Sequence, residues 1–355
     1  MRASGAVLAL ALLAGPASAA EPAAIRVLLV DGASGVTIQP AGGRERRIEA
    51  GRVARFRLAG PGPHRVDGRR YRGALAIEAG PDGVRVRNDV PLEDYVAGTL
   101  LGEILESWGD AALQAQAVAI RTYALHRRAR AATRAWDVEA DTRGQVYLGL
   151  DGESETAWAA VRATEGQVLT WEGEVILAAF HGTAGGRTAS AKEVWGRPVP
   201  YLESVAVEGE ELSPDTYWRA PVSREELAAA LAGLGHGVGR VQRIEVAERT
   251  PSGRSATVRV EGSEGRAEVP AAALRRALGE TRVRSTLFDV RPTPGGVVFV
   301  GSGHGHGVGM SQWGARAMAE RGAGYRDILG RFYPGARLVS VRGAGTAQPD
   351  AGGSW

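Results

Sequence analysis

One carboxylate in this chain has the surroundings that a general acid needs. Glu103 closes the run VPLEDYVAGTLLGEI (90–104), in which Leu92, Tyr95, Val96, Thr99 and Leu100 recur at helical spacing, and it continues their apolar row. Among Leu100, Leu101, Ile104 and Trp108 a carboxylate is poorly solvated, which raises its pKa and favours the protonated acid near neutral pH. A second helix is expected from about Asp110 to about Arg130, with Gln114, Val118, Arg121 and Leu125 in one row. Gln114 and Arg121 therefore point the same way. Two roles stand open for Arg121: structural ion-pair partner of Glu103, or a group that orients it or holds a ligand. Glu106 is the only close second carboxylate and reads as solvated or helix-capping.

Two further segments carry candidate chemistry. After His181 the loop GTAGGRTASAKEVWG supplies glycines and small hydroxyl residues at a strand end, which suits a loop that lets backbone approach a ligand. The other is GSGHGHGVGMSQWG (301–314), where a glycine-rich loop bearing His304 and His306 runs into a helix from about Ser311. Its spacing matches neither a phosphate-binding loop nor a dinucleotide fingerprint. Two histidines two residues apart lack a third ligand of obvious spacing, so no metal site and no cofactor is assigned.

The elements that must position these residues read as α+β. In the first helix Asp89 is a candidate N-cap, Pro91 sits near the first turn, and Glu93 and Asp94 suit the positive end of the helix dipole. Residues 25–87 alternate in strand-length runs broken by Asp31-Gly32, Gly42-Gly43 and Pro61-Gly62-Pro63, giving a small N-terminal β module over 21–70. TRGQVYLGL (142–150) reads as a strand and ESETAWAAVRATEG as a helix. Val168–Trp171 is expected to pair with Val175–Phe180 across Glu172-Gly173. Residues from about 203 to 302 look like an inserted α/β segment, with helices at SREELAAALAGL and VPAAALRRALG and a hairpin of RIEVAERT with SATVRVEG.

The chain has 355 residues, no cysteine and a formal charge of +3. Disulfides are excluded, and the spread of basic residues gives no support to nucleic-acid binding. Arg2, the apolar run Ala6–Leu13 and the small residues Ala17–Ala20 have the layout of a secretory signal over 1–20, with cleavage expected after Ala19 or Ala20. No stretch approaches about 18 consecutive apolar residues, so no transmembrane segment is expected in the mature form, which would be secreted or periplasmic, at the cell wall. The tail, 341–355, is polar and glycine-rich and reads as disordered.

Several of these segments together resemble the SpoIID/LytB domain of bacterial exported and sporulation proteins: NDVPLEDYVAGTLLGEI followed by ALQAQAVAIRTYAL, then AAFHGTAGGRTASAKEVWG with PYLESV, then GHGVGMSQWGARAMAERGAGYRDIL with FYPGARL. QVYLG and ATEGQVL between them also match, and the resemblance covers about residues 70–340. It implies a mixed α+β domain over 71–340 and action on peptidoglycan as a lytic transglycosylase, on strands stripped of stem peptides. The family's catalytic glutamate falls on Glu103, and the arginine of its ARTY-like motif falls on Arg121, followed by Tyr123. The resemblance further implies that Gln114, Arg121, Tyr123, Thr183, Gly185, Gly186, Ser190, His306 and Gln312 line the substrate groove. Many relatives carry lysine where this chain has Gln114. The metal site of some relatives uses cysteine and is not carried over.

A single glutamate fits that chemistry. Hydrolysis of a glycoside normally uses two carboxylates, whereas a lytic transglycosylase cuts without water, one residue serving as acid and then as base. The Gln114 departure keeps a second reading open: a non-catalytic glycan-binding module that stimulates a cell-wall amidase partner.

Overall fold

The computed structural model describes residues 24–341 and 347–349. The secretory signal expected over 1–20 lies outside the described residues, as does most of the tail; within that tail Ala347–Pro349 pairs as a strand with Arg337–Val341, so this part is not unstructured. The architecture is α+β, as expected from the alternating strand runs and helical rows.

Strands Ala54–Leu58, Ala74–Gly80, Gly83–Pro91, Ala24–Ala33 and Val138–Glu139 form one sheet in that order, antiparallel except for the last pair. Gly83–Pro91 alternates buried and half-buried residues, the pattern of a strand with one face on the core. Because Ala24–Ala33 pairs along Gly83–Pro91, the expected boundary at residue 70 is not a break in packing: both sides share one sheet and one core.

Among the described residues the helices are α1 (Leu92–Glu103), α2 (Asp110–Arg130), α3 (Glu155–Ala163), α4 (Ala191–Trp195), α5 (Arg224–Gly233), α6 (Ala271–Leu278), α7 (Gln312–Glu320) and α8 (Tyr325–Phe332). The bounds of α2 are those expected from its apolar row. The start of α1 is not. Pro91 occupies the cap position, and Asp89 stays in the preceding strand, paired with Arg57 and Arg87. α2 is the central element: Leu113, Ala117, Ile120 and Ala124 face a core shared with the sheet, α1 and α3. Its Ala115, Val118 and Ala119 belong to a second core with α8 and residues 169–207. Alanines on both faces permit the close approach this needs.

Two expected strands are corrected. The segment 142–150 forms a loop and the short 3-10 turn Gly149–Gly152, because its backbone bonds to α1 through Val146 and Leu148 and meets the strand Val138–Glu139 only through Gln145 N–H to the Glu139 carbonyl, with no ladder of strand pairing. The hairpin after Gln167–Trp171 is short: Glu172 and Gly173, both at positive φ, turn the chain, but pairing stops after Glu174–Val175. Phe180–His181 instead pairs in parallel with Met310–Ser311, which brings the two glycine-rich segments together. The segment expected to be an insertion has its own core, running from Trp218 to Phe299, under α5, α6 and two three-stranded sheets.

Candidate active site

Glu103 is the last residue of α1, half-buried, and it is positioned by glycines. Gly98 and Gly102 lie one turn apart on the same side of α1. A Cβ at Gly102 would stand 2.1 Å from the Val146 carbonyl oxygen, and one at Gly98 would stand 2.8 Å from that of Gly149. Their absence lets the loop 145–149 lie directly on the helix. Leu148 N–H then donates to the Gly98 carbonyl at 2.9 Å, and Val146 N–H donates to Glu103 Oε1 at 2.6 Å. Burial raises the Glu103 pKa from its ordinary 4.5 to about 6, against the pull of the Val146 N–H and of the Gln312 side chain. A helix C-terminus also disfavours an anion. The outcome is a carboxyl that is substantially protonated near pH 6, able to give up a proton and take it back.

The surroundings of Glu103 come from four elements. Gln312, the first residue of α7, is buried and close enough to favour the Glu103 anion, yet its Nε2 makes no well-formed hydrogen bond. Tyr95, on α1, donates to Gln145 Oε1 at 2.8 Å and lies within electrostatic range of Glu103. Tyr123 of α2 is also within that range; burial raises its phenol pKa, Arg127 opposes the rise and the Glu103 charge adds to it. Trp108 and Trp313 pack with ring centroids 4.9 Å apart and planes tilted by 56°, and the guanidinium of Arg316 lies over both. Glu106 faces solvent and accepts from Ser154 Oγ at 2.6 Å, which ties it to the N-cap of α3.

Arg121 is not the partner of Glu103. It is fully buried and gives Nη2 and Nε to Glu93 at 2.6 and 2.9 Å and Nη1 to the Gln167 carbonyl at 3.1 Å. It therefore ties α1 and α2 to the strand Gln167–Trp171 and offers no donor to a ligand. The same fact explains why Glu103 keeps a raised pKa: no cation is paired with it. Gln114 is half-buried on α2 and its side chain makes no hydrogen bond among the described residues.

The glycine-rich loop is closed upon a residue that sequence reading missed. Glu210 is buried and accepts Ala184 N–H at 2.8 Å, Gly185 N–H at 2.9 Å and Gly186 N–H at 3.0 Å, together with Ser311 Oγ. The amides of Gly185 and Gly186 are thus already engaged rather than open to a substrate. Thr183 is buried with Oγ1 at 2.7 Å from Ser213 Oγ, and Ser190 caps α4 by accepting Glu193 N–H at 3.3 Å. His306 accepts Val308 N–H at Nδ1 and packs between His181 and Trp195; burial lowers its pKa to about 4. In this structure Thr183, Gly185, Gly186, Ser190 and His306 hold the two loops together, and of the expected groove residues Gln312 and Tyr123 are the ones drawn to Glu103.

The pair Gly98 and Gly102 inside a helix was the legible signal for the loop on α1. Nothing local marked Glu210, whose carboxylate finds its partners 24 or more residues away. No group of three or more histidine, aspartate or glutamate side chains suited to a metal ion occurs among the described residues.

Residues 81–171 match the family described as Stage II sporulation protein, and residues 214–309 match a family described as a domain of unknown function, DUF8618. An uncharacterized protein of Brachyspira hyodysenteriae is 32% identical over 277 residues, covering 77% of this chain and 73% of that protein. Stage II sporulation protein D of Bacillus amyloliquefaciens is 32% identical over 269 residues, 70% of this chain and 74% of that protein. The amidase enhancer of Bacillus subtilis is 30% identical over 291 residues, 68% of this chain but 40% of that longer protein.

Proposed function

Because the chain belongs to the SpoIID/LytB family, whose members here include Stage II sporulation protein D and an amidase enhancer, its role is related to the cell wall, and we propose that it is an exported peptidoglycan lytic transglycosylase with Glu103 as its single acid and base. The observation that supports this most directly is the Glu103 carboxyl itself, with no paired cation, its pKa at about 6, and its Oε1 fixed by Val146 N–H. In the proposed reaction the protonated Glu103 gives its proton to the glycosidic oxygen as the bond from muramic acid C1 breaks. The C6 hydroxyl of the same sugar bonds to C1, and its proton returns to Glu103. No water is consumed, and the product carries a 1,6-anhydro end.

The Val146 N–H keeps one carboxyl oxygen occupied, so the other is the one that exchanges the proton. Replacing Glu103 by Gln preserves that acceptor and removes the acid. The Glu103→Gln protein is expected to fold and to release no anhydro-ended product from peptide-stripped glycan, as read by mass spectrometry. Reducing, hydrated ends from the wild-type protein would overturn the transglycosylase and point to a muramidase.

A second reading is favoured by the similarity to the amidase enhancer and by Gln114: a non-catalytic module that binds glycan and stimulates a cell-wall amidase. On that reading the Glu103→Gln variant retains full stimulation of amidase activity.

A further inference from the structure

Arg316 stands out on the same helix face as the Glu103 neighbour Gln312. The two are four residues apart on α7, about 6 Å along the axis. The guanidinium lies 4.8 Å from the centroid of Trp313 and 5.9 Å from that of Trp108, and its Nε is held by Glu320 Oε1 at 2.8 Å. Two rings and one carboxylate thus fix its plane, while the side chain keeps 25% of its surface in contact with solvent. Neither Nη1 nor Nη2 makes a hydrogen bond among the described residues. One more donor in the same cluster lacks a partner, the buried Trp108 Nε1. Buried donors without partners are uncommon and call for a ligand or water.

We propose that Arg316, stacked on Trp108 and Trp313, is a carboxylate-reading subsite beside Glu103 that recognises the free acid of the muramic lactyl group. The proposal rests on the glycan reading of the Glu103 site and assigns its selectivity to one side chain. A planar guanidinium with both terminal nitrogens available presents a parallel pair of N–H donors, the geometry that matches a carboxylate. The cation–π contacts keep the fork in place before binding, so little side-chain freedom is lost when the anion arrives. A stem peptide turns that lactyl acid into a neutral amide and extends it beyond the fork. Arg316 then finds neither the charge nor the second acceptor oxygen. The stack would in this way favour strands from which peptides have been removed.

The test uses full-length protein carrying Glu103→Gln, so that bound glycan is not consumed, and calorimetric titration at low salt near neutral pH. The probes are a peptide-free muramic-acid-containing oligosaccharide and the same oligosaccharide with its carboxyls converted to methylamides. The acid form is expected to bind roughly tenfold more tightly than the amide form, about the effect of one charge-assisted contact. Adding Arg316→Gln should erase that preference and most of its salt dependence while leaving the thermal melt unchanged, and Arg316→Lys should restore part of it. An undiminished preference in the Arg316→Gln protein overturns the subsite alone. Failure of both oligosaccharides to bind the Glu103→Gln protein overturns the glycan reading and the subsite with it.

Discussion

Ionising Glu103 takes a charge into a site that solvates it poorly, and this couples the candidate acid to stability. Its folded pKa of about 6 lies above its ordinary 4.5, so the native state holds the proton more tightly than the unfolded chain. The stabilisation from the protonated form is complete below about pH 4.5 and is lost as pH rises through about 6. A shift of that size corresponds to about 2 kcal/mol. Glutamine mimics the protonated acid at every pH. Thermal melts should therefore show wild-type and Glu103→Gln proteins with the same pH dependence below pH 4.5, and the variant gaining relative stability between pH 4.5 and 6. A constant difference across that window would show that the carboxyl is not desolvated. Sequence reading reached this residue because its apolar neighbours are local. It misplaced Arg121, since the choice between Glu93 and Glu103 as partner depends on how α1 and α2 cross.

Among the elements, α1 owes its role to having no side chain at two positions. Alanine is normally the better helix former, by about 1 kcal/mol over glycine in a helix interior. At Gly102 the sign reverses, because a methyl would meet the Val146 carbonyl oxygen at 2.1 Å. Gly102→Ala is expected to push the loop 145–149 off the helix, break the Val146 bond to Glu103, lower the melting temperature and reduce the proposed glycan cleavage at least tenfold. An unchanged melt with full cleavage would sink this account of how Glu103 is held. Helices α2, α3, α5 and α6 were legible because each has a clear apolar row and, for α3 and α5, a serine cap; α5 has a full capping box of Ser223 with Glu226. The loop 142–150 was misread as a strand because its alternating residues serve packing on α1, which no periodicity announces.

At the scale of the molecule, α2 joins two cores and the segment from Trp218 to Phe299 supplies a third. That third core is tied to the rest through Arg254, buried and donating to the Ala184 and Arg187 carbonyls, and through Ser252, bonded to Glu193. Phe299 is fully buried in it, edge-on to Phe288 with centroids 5.1 Å apart. Phe299→Ala should cost about 3–5 kcal/mol. Hydrogen exchange should show the loss of protection concentrated between Trp218 and Gly301, with α1 and α2 still protected. Equal loss in α1 and α2 would mean that the three cores unfold as one unit.

The chain by itself determined the α+β class, the acid candidate, the pair of helices around it and the resemblance that the comparisons bear out, since these rest on neighbours in sequence and on motifs carried whole. Tertiary structure alone decided the partners: Arg121 with Glu93, the Gly185 and Gly186 amides with Glu210, and Arg316 on Trp108 and Trp313. Hydrogen bonds and ion pairs reach only about 3 Å. Which residues come that close is set by how helices cross and sheets register over long separations, and local spacing carries no record of it.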